Sequence, residues 1–264
     1  MKRYIKNIAL TLLVAIAFTA CNKEDLDVEK AMHIVVNGYN GGTNALQLSI
    51  DTTQYGVAAR SGAYIMKPAA IISQNLVYTY RSSKKSTLTI TDTITKKVVY
   101  SGELPANGTK AVFNYIFLDG KELNINAPAA NPATNKLGFY IHYTISSEPF
   151  DIFLYRKDNT TGQVFRTYLA KNVIPGKWIY LDYAVPADFG TKQIISNSSA
   201  SVHFTKAGTT DEWAFDNDQN KSTVPANSMG LPVEDEKGLV QPYFLTPLPY
   251  GQGLSKLFFY PDRF

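Results

Sequence analysis

Two pairs of aromatic residues are spaced so that they could bind a ligand made of rings. Trp178 and Tyr180 stand two positions apart, and so do Trp213 and Phe215. In a β-strand, residues two positions apart point to the same face, so each pair would present two rings side by side. Exposed rings of this kind can stack on the apolar faces of sugars, with about 1 kcal/mol from each good contact. The pairs are candidate carbohydrate-binding residues, and burial in a sheet core is the alternative.

An acidic and amide-rich stretch follows the second pair. Asp216, Asp218 and Asn220 place oxygen atoms at alternate positions, as a calcium-binding loop does around a hard cation. An EF-hand would continue with Gly at position 221 and Glu at position 227, where this chain has Lys221 and Asn227. The stretch is therefore a solvated turn or a calcium site of another kind. Calcium is the single cofactor that the sequence suggests.

The residues that could perform catalysis are scattered. His33, His142 and His203 fall in three separate predicted strands. The chain has no GxSxG, HExxH, P-loop or GxGxxG motif. With 22 acidic residues, chance pairs of carboxylates do not indicate a glycosidase. We therefore expect no enzymatic activity, although a triad assembled in space leaves no sequence motif.

The N-terminus has the pattern of an export signal. Lys2, Arg3 and Lys6 precede a nearly unbroken apolar run at residues 8–18. As a helix, this run would span about 16 Å, which is shorter than a hydrocarbon core of about 30 Å. Residues 1–20 are therefore typical of a signal peptide rather than of a membrane anchor.

Cys21, the one cysteine of the chain, follows this segment directly. The residues Phe18-Thr19-Ala20-Cys21 resemble a bacterial lipobox, with Phe18 where leucine is usual. This resemblance implies that Cys21 is acylated and becomes the mature N-terminus, which would leave no cysteine for disulfides or thiolate chemistry. Several acyl chains, at about 0.8 kcal/mol for each buried CH₂ group, would anchor the protein stably. An ordinary secretory signal with a chance cysteine is the alternative.

Charge is nearly balanced beyond the signal peptide. The net charge is +4, and three of the 26 basic residues lie within residues 1–20, so 23 basic residues accompany 22 acidic ones in the remainder. Balanced charge without a basic run is a poor match to a nucleic-acid-binding surface. After Cys21, the residues Lys23, Glu24 and Asp25 resemble the export signal of surface lipoproteins in the Bacteroidota, and a plain charged tether is the alternative.

The remaining sequence shows the alternation of β-strands. Residues 46–51 alternate between aliphatic and polar side chains, and residues 112–118 form an apolar run closed by an Asp-Gly turn pair. Many short strands separated by turn signals predict an all-β fold of immunoglobulin-like antiparallel sandwiches. Five prolines between positions 224 and 253 predict an irregular segment, and the apolar residues 257–260 predict a terminal strand.

The chain divides at a segment that cannot join a core. Residues 126–135 include two prolines but no charge and no large apolar residue, which indicates a linker. The expected organisation is a signal peptide at 1–20, a tether at 21–30, and two sandwiches at 31–125 and 136–264. The first two strands start 14 residues apart in the first half and 13 in the second, so the halves are either an internal repeat or two sandwiches alike by chance.

A lipobox followed by such sandwiches resembles the Bacteroidota outer-membrane lipoproteins of unknown function. The resemblance covers most of the chain, and its specific part is the segment ending at Cys21. It implies a lipid-anchored, surface-exposed outer-membrane protein that acts without catalysis as an adhesive, scaffold or binding module. The alternative is a glycan-binding accessory lipoprotein of a polysaccharide-uptake system. The partner would be a glycan or a protein rather than nucleic acid.

Two threonines stand in a weaker motif. Thr52 and Thr93 follow aspartate in Asp-Thr-X triplets, which resemble the O-glycosylation sequon of Bacteroidota envelope proteins. Chance would produce about one such triplet in a chain of this composition, so both are weak candidates.

Overall fold

The computed structural model describes residues 29–81, 85–190, 192–196 and 199–263. The signal peptide, Cys21 and most of the expected tether lie outside the described residues. Within these ranges, no helix is long and apolar enough to cross a membrane.

The described residues form mostly β-strands. The strands are β1 Glu29–Asn40, β2 Leu46–Ile50, β3 Thr53–Tyr55, β4 Ile65–Met66, β5 Ala70–Arg81, β6 Thr87–Asp92, β7 Val98–Glu103, β8 Lys110–Leu118, β9 Lys121–Glu122, β10 Asn135–Ile141, β11 Phe150–Lys157, β12 Val164–Val173, β13 Ile179–Tyr183, β14 Ala200–Lys206, β15 Thr223–Pro225, β16 Val240–Leu248 and β17 Gly251–Lys256. The short helices are α1 Lys192–Ser196 and α2 Ala226–Met229, with 3-10 turns at Ala59–Gly62, Ala187–Phe189 and Pro261–Arg263.

The strands build two β-sandwiches. In the N-terminal sandwich, a sheet of order β5-β1-β8-β9 faces a sheet of order β3-β2-β6-β7, with β4 paired to β2. In the C-terminal sandwich, a sheet of order β13-β10-β16-β17 faces a sheet of order β12-β11-β14-β15. The all-β sandwich fold predicted from the sequence is confirmed.

The two sandwiches share one topology. The sheet positions of β1, β2, β3, β5, β6, β7, β8 and β9 correspond in chain order to those of β10 through β17, and β4 is the extra strand of the N-terminal sandwich. Such a correspondence is the relationship expected of an internal duplication.

The sheets are mixed rather than purely antiparallel, which corrects the sequence prediction. β1 pairs in parallel with β8, and β10 pairs in parallel with β16. Each parallel pair joins the first strand of a sandwich to a strand that is reached after the chain has passed through the facing sheet. The intervening chain is long enough for the crossover that a parallel pair requires.

Each sandwich encloses an apolar core. Ile34 and Val36 of β1 point into the first core, while Phe139 and Ile141 of β10 point into the second. Burying an aliphatic or aromatic side chain of this kind stabilises the fold by about 1.5–3 kcal/mol.

The proline-rich segment is irregular at residues 230–239, as predicted, but it also contains β16, an interior strand of its sheet, where the prediction is wrong. Proline has no N–H to donate and is tolerated in a strand where one neighbouring strand is missing. Pro242 precedes the pairing with β17, which begins at Tyr243, and Pro247 lies beyond the pairing with β10, which ends at Leu245. The predicted terminal strand at residues 257–260 is also wrong, since β17 ends before it.

A third apolar cluster joins the two sandwiches, and we call this contact the junction. It is formed by the outward faces of two sheets, β5-β1-β8-β9 and β13-β10-β16-β17. Its buried residues are Tyr39, Ile116, Leu118, Tyr140, Phe244 and Leu257. Tyr39 stacks on Phe244 with ring centroids 4.8 Å apart, and the Asn114 amide donates a 2.8 Å hydrogen bond to the Leu257 carbonyl. The junction thus places the sheet β12-β11-β14-β15 at the far side of the molecule.

The chain that precedes the predicted linker is bound to the C-terminal sandwich. The Trp178 indole N–H donates to the Asn124 carbonyl over 3.0 Å, and the Tyr180 hydroxyl donates to the Ile125 carbonyl over 2.6 Å. Residues 126–130 form no strand and are mostly exposed. The division of the chain at this segment stays a prediction.

Candidate functional site

A pocket that combines aromatic rings with polar groups lies on the outer face of sheet β12-β11-β14-β15. We call it the outer-face pocket, and its volume is about 350 Å³. Its walls come from these four strands and from the loop between β14 and β15. The lining residues are Tyr155, Arg166, Ser201, His203, Thr210, Asp211, Trp213, Gln219 and Thr223.

Strand alternation explains why these side chains point outward. On β11, Leu154 belongs to the core, so the next residue, Tyr155, faces the opposite side. On β14, Phe204 belongs to the core, so Ser201 and His203 point outward. The same pattern that builds the core therefore brings these three side chains to one surface.

The floor of the pocket is a row of rings in mutual contact. Tyr155 and His203 stack with ring centroids 4.3 Å apart and an interplanar angle of 19°. His203 in turn meets Trp213 edge-on, with centroids 5.3 Å apart. Phe153, the cross-strand partner of His203, points to the same face, is fully buried and packs 5.4 Å from His203. Because each ring is held by its neighbours, the floor is preorganised.

His203 is a neutral hydrogen-bonding group at neutral pH. Burial lowers the pKa of His203 from 6.5 to about 4, and the nearby Arg166 charge adds to this effect. The imidazole Nε2 lies 2.8 Å from the Ser201 hydroxyl. In the part of the chain that the structure describes, no carboxylate forms a hydrogen bond with this imidazole, whereas a serine triad orients its histidine through one. The pair therefore presents hydrogen-bonding groups at the pocket.

Trp213 enters the pocket from the loop that follows β14. It forms an isolated bridge with Thr205, and its backbone N–H donates to the Asn217 side-chain oxygen over 3.2 Å. The indole ring is half-buried, so part of it is open to a ligand. Asp211 and Gln219 from the same loop add a carboxylate and an amide to the pocket lining.

Arg166 lines the pocket from strand β12. It is the direct cross-strand partner of Tyr155. Its guanidinium lies 5.7 Å from the ring centroids of both Phe153 and Tyr155. These contacts hold the planar group over aromatic rings while its N–H donors stay accessible.

Phe215 does not share this surface, and its predicted role in sugar binding is wrong. Its side chain is 0% exposed and packs in the core against Phe150 and Phe204, with ring centroids 5.6 Å away in each case. Its backbone N–H donates to the Ser222 hydroxyl over 3.0 Å. The chain turns directly after the bridge at Trp213, so the period of two that the sequence suggested does not continue to Phe215.

Trp178 and Tyr180 do share one face, but this face lies at the junction. Their rings stack with centroids 5.7 Å apart, and Trp178 also packs 5.4 Å from Tyr140. Both side chains donate hydrogen bonds to the chain before the predicted linker, as described above. Neighbouring protein covers part of these half-buried rings, and their assignment to an open sugar-binding platform stays a prediction.

The calcium hypothesis for Asp216, Asp218 and Asn220 is also corrected. The Asp216 carboxylate forms a 2.6 Å ion pair with Lys221 and accepts a hydrogen bond from Tyr143, and these two bonds lower the pKa of Asp216. The Asp218 carboxylate accepts the backbone N–H of Asn220 in a local turn. Among the described residues, no group of three His, Cys, Asp or Glu side chains converges as a metal site would require.

A second cavity, of about 490 Å³, lies beside the junction. Tyr39, His142 and Pro247 contribute to its walls. Its charged side chains, Asp216 and Lys221, neutralise one another through the ion pair described above. The outer-face pocket is therefore the stronger candidate, because it combines stacked rings with charged groups that are not paired with each other.

The two candidate glycosylation sites differ in accessibility. Thr52 is exposed in the turn between β2 and β3, and its modification stays a prediction. The Thr93 hydroxyl donates a 2.9 Å hydrogen bond to the Ala45 carbonyl and is partly buried. Glycosylation of Thr93 would require breaking this bond.

Sequence reasoning selected Trp213 but missed Tyr155 and Arg166. Residues 150–155 are mostly apolar, so their alternation was hidden. A clearer pattern was available on β14, where Ser201 and His203 alternate with apolar residues. That alternation could have marked an outward polar face.

Comparisons with known proteins do not assign the chain to a family. No protein-family model and no curated protein matches the chain. Among solved structures, a family CBM26 carbohydrate-binding module from Eubacterium rectale Amy13K in complex with maltoheptaose is similar at 13% identity and TM-score 0.25, over 88% of this chain and 99% of that one. The Bacillus anthracis TIE protein is similar at 10% identity and TM-score 0.19, over 83% of this chain and 34% of that one. These scores are too low to support an argument about function.

Proposed function

We propose that this protein is a non-catalytic, lipid-anchored binding protein of the cell envelope, and that its outer-face pocket binds a glycan. The observation that carries the proposal is the row of contacting rings formed by Tyr155, His203 and Trp213, with polar side chains beside it. An aromatic floor with hydrogen-bonding groups beside it matches a sugar, which has apolar ring faces and hydroxyl groups at its edges.

The pocket supplies both kinds of contact. The half-buried Trp213 ring offers a face for stacking, and Asp211 and Gln219 offer an acceptor and an amide for hydroxyl groups. The volume of about 350 Å³ is within the range of about 300–1,000 Å³ that is usual for small-ligand sites. The pocket is thus large enough for a short saccharide segment. Affinity in the roughly micromolar-to-millimolar range would follow from so few contacts.

The cellular location in this proposal rests on the sequence. The lipobox-like segment that ends at Cys21 supports lipid anchoring, and Lys23, Glu24 and Asp25 support export to the cell surface. A surface protein with a sugar-binding pocket could capture polysaccharide for an uptake system. An adhesive or scaffold protein without a sugar ligand is the alternative.

The proposal is tested on the purified full chain with a glycan array, followed by titration of the saccharides that bind. We expect Trp213→Ala to abolish measurable binding, because it removes the exposed ring of the pocket. Tyr250→Ala is the matched control, since Tyr250 is 99% exposed and lies outside the pocket. It should bind with wild-type affinity.

Two results would contradict the proposal. Failure of the wild-type chain to bind any glycan on a broad array would favour the adhesive or scaffold alternative. Equal binding by the wild-type chain and a folded Trp213→Ala variant would place the sugar site elsewhere.

A further inference from the structure

Arg166 is a charged group without a charged partner. In the part of the chain that the structure describes, its guanidinium forms no ion pair and no hydrogen bond, and its contacts are the rings of Phe153 and Tyr155. Two other cations on the C-terminal sandwich are paired with carboxylates, Lys206 with Glu212 and Lys221 with Asp216. Arg166 therefore keeps its N–H donors available at the pocket.

A neighbouring arginine shows that this arrangement is not a general property of the sheet. Arg156 also lies over a ring, with its guanidinium 3.7 Å from the Phe165 centroid. Unlike Arg166, it donates a 2.6 Å hydrogen bond to the Asp188 carbonyl. Arg156 thus joins the end of β11 to a neighbouring turn by a hydrogen bond, whereas among the described residues Arg166 forms no such bond.

The charges of the pocket are separated between its two sides. Arg166 lines the pocket from strand β12. Asp211 lines the pocket from the loop that carries Trp213. A ligand that stacks across the floor would thus meet a cation at one end and a hydroxyl acceptor at the other.

From this geometry we infer that the glycan is acidic, and that Arg166 binds its carboxylate. This inference rests on the proposed function of the outer-face pocket. A guanidinium presents a planar pair of N–H donors that matches a carboxylate with two parallel hydrogen bonds. The sugar carboxylate could belong to a hexuronic acid or to a sialic acid, while Asp211 would accept hydroxyl groups on the opposite side.

The test compares acidic saccharides with neutral counterparts on the full chain. The probes are tetragalacturonate and its carboxyl-reduced form, and sialyllactose and lactose. We expect one acidic probe to bind at least about tenfold more tightly than its neutral counterpart, as hydrogen bonds to charged groups predict. The pair that shows the preference identifies the source of the carboxylate. Its affinity should also fall as salt is raised, because the contact with exposed Arg166 is screened.

Three variants isolate the arginine. Arg166→Gln should reduce binding of the preferred acidic probe to the level of its neutral counterpart, and Arg166→Lys should retain an intermediate preference because it keeps the charge without the paired donors. Lys171→Gln is the matched control, since it removes a charge from the same strand outside the pocket lining. It should change the preference by less than about threefold. A thermal melt of each variant checks that it is folded.

The outcomes separate this inference from the proposed function. Tight binding of neutral glycans without an acidic preference would overturn the inference and leave the proposed function standing. An acidic preference that persists in folded Arg166→Gln would also overturn it. Absence of binding to every saccharide, on these probes and on a broad array, would overturn both.

Discussion

The imidazole of His203 stacks on the phenol ring of Tyr155, with ring centroids 4.3 Å apart and an interplanar angle of 19°. The imidazole also makes an edge-on contact with Trp213. His203 thus packs against three aromatic rings, since Phe153 is in contact with it as well. A charged imidazolium in this place would lose much of its hydration, which is why the neutral form is favoured.

This enclosure predicts that the protein loses stability as the pH falls. The pKa of His203 is lowered from 6.5 to about 4 in the folded state. Below pH 6.5 the unfolded chain binds a proton that the folded chain does not, so the free energy of unfolding should decrease until about pH 4 and change no further through this group. The full effect would be about 3 kcal/mol. Burial lowers the pKa of His142 as well, which adds a contribution of the same sign.

The measurement is urea unfolding of the wild-type chain and His203→Gln between about pH 7 and about pH 4. The variant should show a shallower dependence on pH, whatever its absolute stability. Carboxylates titrate equally in both proteins, so the difference between the two curves isolates His203. Parallel curves would show that folding leaves the pKa of His203 unchanged, as for an exposed imidazole.

The two aromatic residues that the sequence paired should behave differently when truncated. Phe215→Ala removes a fully buried ring and should lower the free energy of unfolding by about 3–5 kcal/mol. Trp213→Ala removes a half-buried ring at the surface and should cost about 1–2 kcal/mol. Chemical unfolding of both variants checks this order. Equal losses would mean that Trp213 is as deeply buried as Phe215.

The sequence predicted which face of a strand an aromatic residue occupies better than it predicted what covers that face. Alternation along the strands was sufficient for the sandwich fold, and it correctly put Trp178 and Tyr180 on one face. It could not show that the chain at Asn124 and Ile125 covers part of that face at the junction, because this contact joins residues far apart in the chain. An outward aromatic face has the same pattern whether a sugar or another sheet covers it.

The errors at the prolines have the same origin. Prolines such as Pro242 and Pro247 predict against a strand, because proline cannot donate a hydrogen bond. Whether a donor is needed at a given position depends on which neighbouring strand is present there. That information lies in the register of β10 and β17, which local sequence does not contain.

The junction should make the predicted linker resistant to cleavage. Trp178→Ala removes the hydrogen bond to the Asn124 carbonyl and the packing against Tyr140 and Tyr180. We expect a loss of about 2–4 kcal/mol in the free energy of unfolding. We also expect faster cutting by elastase within residues 126–135, since the segment before the linker loses an attachment.

Limited proteolysis followed by mass spectrometry measures this cutting. Trp213→Ala is the control, because its ring lies on the outer face and not at the junction. Slow cleavage in both Trp178→Ala and Trp213→Ala would show that other contacts protect the linker. Cleavage of the wild type as fast as that of Trp178→Ala would show that the junction does not restrain the linker.

Lipid anchoring is the prediction that depends on sequence alone. Cys21→Ala should abolish labelling by a clickable fatty acid and release the protein from the membrane fraction, because it removes the one thiol that can be acylated. Acyl chains supply about 0.8 kcal/mol for each buried CH₂ group, so a protein without them has no comparable attachment. Asn22→Ala, which leaves the thiol in place, is the matched control and should stay labelled. Membrane association of the unlabelled Cys21→Ala variant would disprove the anchor. Release of Cys21→Ala from the membrane, together with retained labelling of Asn22→Ala, would assign the lipid to Cys21.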